Sequence, residues 1–143
     1  MRTRLLAGGL VALVVLVAAG CSDSDGAGTA SAEVQRITVE MSELKYEPMR
    51  LAVTAGRPVE VTVRNVGTAD HDFVVSGLPA KNVKNVKAGH GGHGGGVDEI
   101  VGHAKPGQTV TVRFTPLRTG EFDIFCSLPG HKEGGMVGVL TVV

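Results

Sequence analysis

Residues 58–64 read PVEVTVR and residues 109–114 read TVTVRF. In the first, Val59, Val61 and Val63 alternate with Glu60, Thr62 and Arg64; in the second, Val110, Val112 and Phe114 alternate with Thr109, Thr111 and Arg113. A period of two sends successive side chains to opposite faces of an extended chain, so each stretch is a strand with one face in a core and one toward solvent. Less regular runs of the same kind occupy 34–41, 49–54, 72–76, 97–101, 121–126 and 136–143. Between them stand AGRP, NVGTAD, KPGQ and PLRTG, rich in the Gly, Pro, Asn and Asp that favour turns. About eight short strands without a sustained helical period predict an all-β sandwich.

One segment breaks the alternation. Residues 80–96, AKNVKNVKAGHGGHGGG, become too glycine-rich to hold a strand or helix, and read as a long loop with a helical turn at its start. Lys81, Lys84 and Lys87 recur every third residue and read as a solvated face, with a small basic docking edge as the alternative. His90 and His93 make a weak secondary Cu(II) or Ni(II) site conceivable, but a glycine loop offers no scaffold to hold them, and the plainer reading is a surface insertion.

The chain of 143 residues is one domain's worth. Its N-terminus, MRTRLLAGGLVALVVLVAAGC, has two arginines, an apolar run from Leu5 to Ala19, then small residues and Cys21. That is the layout of an export signal over 1–20, and the run is short for a bilayer span of about 20 residues. Ala18, Ala19, Gly20 and Cys21 resemble a bacterial lipobox, which predicts lipidation of Cys21; ordinary cleavage to a soluble periplasmic or secreted product is the alternative. Residues 21–32 then form the anchor and a flexible polar tether, and 33–143 the folded domain. Fourteen basic and fourteen acidic groups balance, leaving no cationic field for nucleic acid. With two cysteines, one of them Cys21, no internal disulfide framework is expected, and Cys126 is either inertly buried or bound to something.

Near the C-terminus runs FDIFCSLPGHKEGGMVGVL, in which Cys126, His131 and Met136 are five residues apart. Alternation places Phe122, Ile124 and Cys126 on one face. Pro129 and Gly130 allow one turn that swings His131 back toward the sulfur, and Gly134 and Gly135 a second that returns Met136. A thiolate, an imidazole and a thioether are soft donors suited to copper, and a second histidine would complete a His₂Cys plane with an axial Met. Zinc also accepts Cys and His, but the thioether favours copper. His71, just after the turn in NVGTADHDFVV, is the best candidate; His103, before the Pro-Gly turn of VGHAKPGQT, is expected at the opposite end of the sandwich.

These two segments resemble the cupredoxin family of type 1 blue-copper proteins, over roughly Val34 to Val143. The gaps on either side of His131 are most similar to those of rusticyanin and sulfocyanin. The resemblance implies a Greek-key sandwich and one type 1 copper ion held by His71, Cys126, His131 and Met136. It further implies that Asp72, after the first histidine, and Ser127, after the cysteine, hydrogen-bond and tie the ligand loops together. Electron exchange with transient protein partners would take place near His131, flanked by Leu128 and Pro129.

Four protein donors leave no open coordination position for substrate, so a one-electron carrier, monomeric and not an enzyme, is the expected function. Copper carriage or storage in the cell envelope, with the HGGHGGG loop as an accessory, is the alternative. A nitrite reductase or multicopper oxidase needs further copper sites, which five histidines in one domain do not readily supply.

Overall fold

In the computed structural model of the chain, residues 33–86 and 99–143 are described. They form ten strands: β1 Gln35–Ser42, β2 Lys45–Glu47, β3 Arg50–Val53, β4 Val59–Asn65, β5 His71–Ser76, β6 Ala80–Val86, β7 Glu99–Ala104, β8 Thr109–Pro116, β9 Gly120–Phe125 and β10 Val137–Val142. Among the described residues there is no helix. The strands make two five-stranded sheets, in the orders β2-β1-β4-β8-β6 and β3-β10-β9-β5-β7.

The alternation read from the sequence is what joins the sheets. Val59, Val61 and Val63 of β4 and Val110, Val112 and Phe114 of β8 pack in one buried cluster with Phe73 and Val75 of β5, Ile124 of β9 and Leu140 of β10. Each such side chain contributes about 1.5–3 kcal/mol by leaving water, so a one-residue slip of any central strand would forfeit several at once. The all-β sandwich expected from the period is therefore the fold.

Two strands beyond the expected eight are β2 and β6. The helical turn and loop expected from Ala80 are corrected as far as Val86: this stretch pairs antiparallel with β8, with a register shift between Lys81 and Lys84. Asn82 takes a positive φ of 56° in that shift. The three-residue recurrence of lysine thus reflects a bulged edge strand, where exposed charge discourages further pairing. Lys81 and Lys84 are exposed. Lys87, His90, His93 and Cys21, like the expected boundaries at 20 and 32, lie outside the described residues.

The second sheet sets out the functional end. In antiparallel register His71 faces Ala104 and Asp72 faces His103, while on the other flank Val74 faces Phe125 and Val75 faces Ile124. The start of β5, the end of β7 and the end of β9 therefore meet at one end of the sheet.

Candidate metal centre

The loop after β9 closes on itself. Phe122 and Ile124 are buried and Cys126 is fully so, as alternation requires. The Cys126 N–H donates to the Met136 carbonyl at 3.2 Å, and the Met136 N–H to the His131 carbonyl at 2.9 Å. Between them His131 N–H donates to Leu128 O, Gly134 N–H to Gly130 O and Gly135 N–H to Lys132 O, at 2.9–3.1 Å. Gly130 and Gly135 take φ of 80° and 100°, a region that disfavours any side chain. These bonds bring Met136, also fully buried, back beside Cys126.

The start of β5 is held differently. Asn65, 2% exposed, ends β4 and donates from its amide to Ala69 O at 2.7 Å and Ala104 O at 2.8 Å, while its Oδ1 accepts from the Gly67 N–H at 2.9 Å. One side chain thereby shapes the turn into β5 and ties it to the end of β7. His71, 1% exposed, emerges from this turn into the interior.

The donors of both segments converge. His71 Nδ1 lies 3.2 Å from His131 Nδ1, which lies 3.3 Å from Cys126 Sγ, and the donor atoms of the three residues lie within 4.8 Å of one another. Two imidazole nitrogens and a sulfur aimed at one point have more lone pairs than protons to share, an arrangement that a single metal cation satisfies. Burial, and then the neighbouring His131, lower the pKa of His71, which favours the neutral ring that a metal needs. Burial pushes the Cys126 thiol upward, opposed by hydrogen bonds from the backbone of Asp72 and Leu128. Metal binding thus has to release the thiol proton. His71 Nε2 is buried without a hydrogen-bond partner among the described residues.

Asp72 is the hub behind these donors. Its N–H donates to Cys126 Sγ at 3.3 Å, and its carbonyl accepts from the Tyr46 hydroxyl at 2.5 Å. Ser127 Oγ–H donates to Asp72 Oδ2 at 2.5 Å, the contact that the family resemblance implied. His103 Nδ1 lies 2.7 Å from Asp72 Oδ1. The placement of His103 at the opposite end is therefore wrong: β7 runs antiparallel to β5, so its last residues lie beside the first residues of β5. Asn65, Tyr46 and His103 went unrecognised as parts of the centre. For Asn65 a signal was present, an Asn at a strand end followed two residues on by Gly67, the pattern of an Asx turn.

His131 is half-buried, with Leu128 half-buried and Pro129 exposed beside it. Lys132 Nζ stands 4.5 Å from the Phe125 ring centroid, on the flank of the same loop.

Comparison with known proteins places this geometry. The cupredoxin-like domain family matches residues 9–91, which include His71 and Asp72 and stop short of the Cys126 loop. The copper-resistant cuproprotein CopI of Rubrivivax gelatinosus is 28% identical over 116 residues, covering 80% of this chain and 70% of its own. The dithionite-reduced auracyanin of the photosynthetic bacterium Roseiflexus castenholzii superposes with a TM-score of 0.60 at 25% identity, over 76% of this chain and 97% of its own. A multicopper oxidase from Campylobacter jejuni shares the fold with a TM-score of 0.57 at 17% identity, but this chain spans only 31% of it.

Proposed function

The chain belongs to the cupredoxin-like domain family and is a copper protein, and on that premise we propose that it is an exported one-electron carrier. The observation that carries the reading is the convergence of His71 Nδ1, His131 Nδ1 and Cys126 Sγ from two separate segments; Met136, fully buried on the same loop, would add a thioether donor to a copper ion held there. A copper ion bound there supplies a Cu(I)/Cu(II) couple. The chain's part is to keep the donors fixed in both oxidation states, which the loop hydrogen bonds and the Asp72 contacts do, and to exclude water, which the full burial of Cys126 and Met136 does. Four protein donors leave no position for substrate, which argues for a carrier and against an enzyme.

Partners dock transiently at the half-buried His131 edge with Leu128 and Pro129, and the protein acts as a monomer. Lipidation at Cys21 holds it at the outer face of the cytoplasmic membrane, which raises its effective concentration near membrane-bound redox partners. Metabolic labelling with a fatty acid, lost in Cys21→Ala, tests the anchor. The copper-loaded oxidised protein is expected to show an intense visible thiolate-to-copper band and a reversible one-electron wave. A colourless protein that retains zinc instead would overturn the reading.

Likeness to a cuproprotein named for copper resistance favours a second reading, copper carriage in the envelope through the same site. A carrier of metal hands copper to an acceptor protein within minutes, whereas a carrier of electrons keeps its copper through many redox cycles. Copper retention during repeated ascorbate reduction and reoxidation separates the two.

A further inference from the structure

His103 is the described histidine that supplies no donor to the metal centre, yet both of its ring nitrogens are engaged: Nδ1 with Asp72 Oδ1 at 2.7 Å and Nε2 near Asp70 Oδ2 at 3.4 Å. The pairing of β5 with β7 sets His103 directly opposite Asp72. The register of β5 with β9, carried two places beyond Val74 and Phe125, sets Ser127 opposite Asp72 on the other flank. His103, Asp72 and Ser127 thus form a cross-strand row on the face of the sheet away from Phe73 and Val75, whose side chains enter the core.

The Asp72 carboxylate sits in the middle of this row, the residue only 7% exposed, with one oxygen taken by each neighbour. A nearly buried carboxylate is costly unless it is hydrogen-bonded, and fixing both oxygens also fixes the peptide that carries them. That peptide's N–H points at Cys126 Sγ.

We propose that His103 is a positioning residue for the copper centre, acting through Asp72: its Nδ1–H holds the carboxylate in place, keeps the Asp72 N–H on Cys126 Sγ, and offsets the Asp72 negative charge beside the site. This rests on the electron-carrier reading and its assignment of Cys126 as a ligand. Both consequences act in one direction. An N–H bond to the sulfur and an N–H dipole that partly offsets the carboxylate charge each disfavour the more positive oxidation state, so His103 raises the reduction potential.

The test uses the copper-loaded full chain. His103→Ala is expected to lower the potential by about 59 mV, a tenfold change in the one-electron equilibrium. His103→Asn, whose amide nitrogen stands near the place of Nδ1, is expected to restore most of that shift. In an Asp72→Asn background the effect of His103→Ala should largely vanish. An unmoved potential, failure of Asn to rescue, or an equal shift in the Asp72→Asn background would each overturn the proposal. In the metal-free chain, ¹⁵N NMR should find the proton on His103 Nδ1; a ring carrying it on Nε2 alone would refute the contact whatever the copper does. Absence of the visible band in the unmutated protein would instead sink the electron-carrier reading, so the two failures are distinguishable.

Discussion

The metal centre is assembled from two regions built on opposite plans. The 126–136 loop is local: its donors are five residues apart, and its backbone closes through hydrogen bonds among Cys126, Leu128, Gly130, His131, Lys132 and Met136. The start of β5 is non-local: His71 and Asp72 are placed by Asn65, Tyr46, His103 and Ser127, contributed by four other parts of the chain. The loop therefore supplies Cys126, His131 and Met136, and the strand start supplies His71 together with the contacts that align the set. Damage to the first should remove the centre, and damage to the second should loosen or retune it.

The largest effect belongs to the loop. Cys126→Ser replaces the thiolate with a hydroxyl, a poor partner for copper, and the visible band should disappear entirely while the fold persists. Circular dichroism beside the absorption spectrum checks both halves of that statement. A retained band would mean that the local region is not the source of the donors.

The strand start comes next. Asn65→Ala removes three hydrogen bonds, the one to Ala104 O buried, and takes from that carbonyl its side-chain partner. An unsatisfied buried group costs about 1–3 kcal/mol, so a loss of about 3 kcal/mol is expected in urea unfolding of the metal-free protein. If alignment depends on this clamp, copper should also be lost faster to a chelator while the band keeps its position. A stability loss with unchanged copper retention would break the division between the two regions.

A smaller effect tests the joint between them. Gly138, in β10 just after the loop, lies so close to the neighbouring strand that a Cβ would come within 2.6 Å of the Met49 carbonyl oxygen. Gly138→Ala must push backbone apart and is expected to cost about 1–3 kcal/mol, read by the same unfolding measurement. Because the loop closes independently of Met49, the visible band should survive.

The same contrast explains what could be read from the sequence. The loop was legible because donors and turn residues stand within eleven consecutive positions, and the valine alternation of 59–63 and 110–112 exposed the sandwich. His103 was misplaced because a position along a strand says nothing about which end of a sheet it reaches until the pairing partner is known. Only the antiparallel register with β5 puts it beside Asp72. Strand β6 was missed for a related reason: its irregular lysine spacing makes sense only against β8 and the shift between Lys81 and Lys84. Tyr46, in a three-residue strand, carries no local pattern at all.

Tyr46 gives the smallest effect and the finest test of the strand start. Its hydroxyl holds the Asp72 carbonyl, and its ring meets Phe73 edge-on at 6.0 Å. Tyr46→Phe keeps the ring and loses one hydrogen bond, about 0.5–1.5 kcal/mol. Burial, and then the nearby Cys126 and Asp72 charges, raise the Tyr46 pKa above its ordinary value. The folded state thus holds this proton more tightly than the unfolded chain, whose tyrosine ionises near pH 10. The stabilisation is fully present below about pH 10 and is lost above it as the unfolded chain ionises. The stability gap between the unmutated protein and Tyr46→Phe should therefore be constant from pH 7 to 9 and shrink by pH 11, as measured by urea unfolding of the metal-free protein. A gap that stays parallel through pH 11 would show that the hydroxyl is wet, and that Asp72 is held without it.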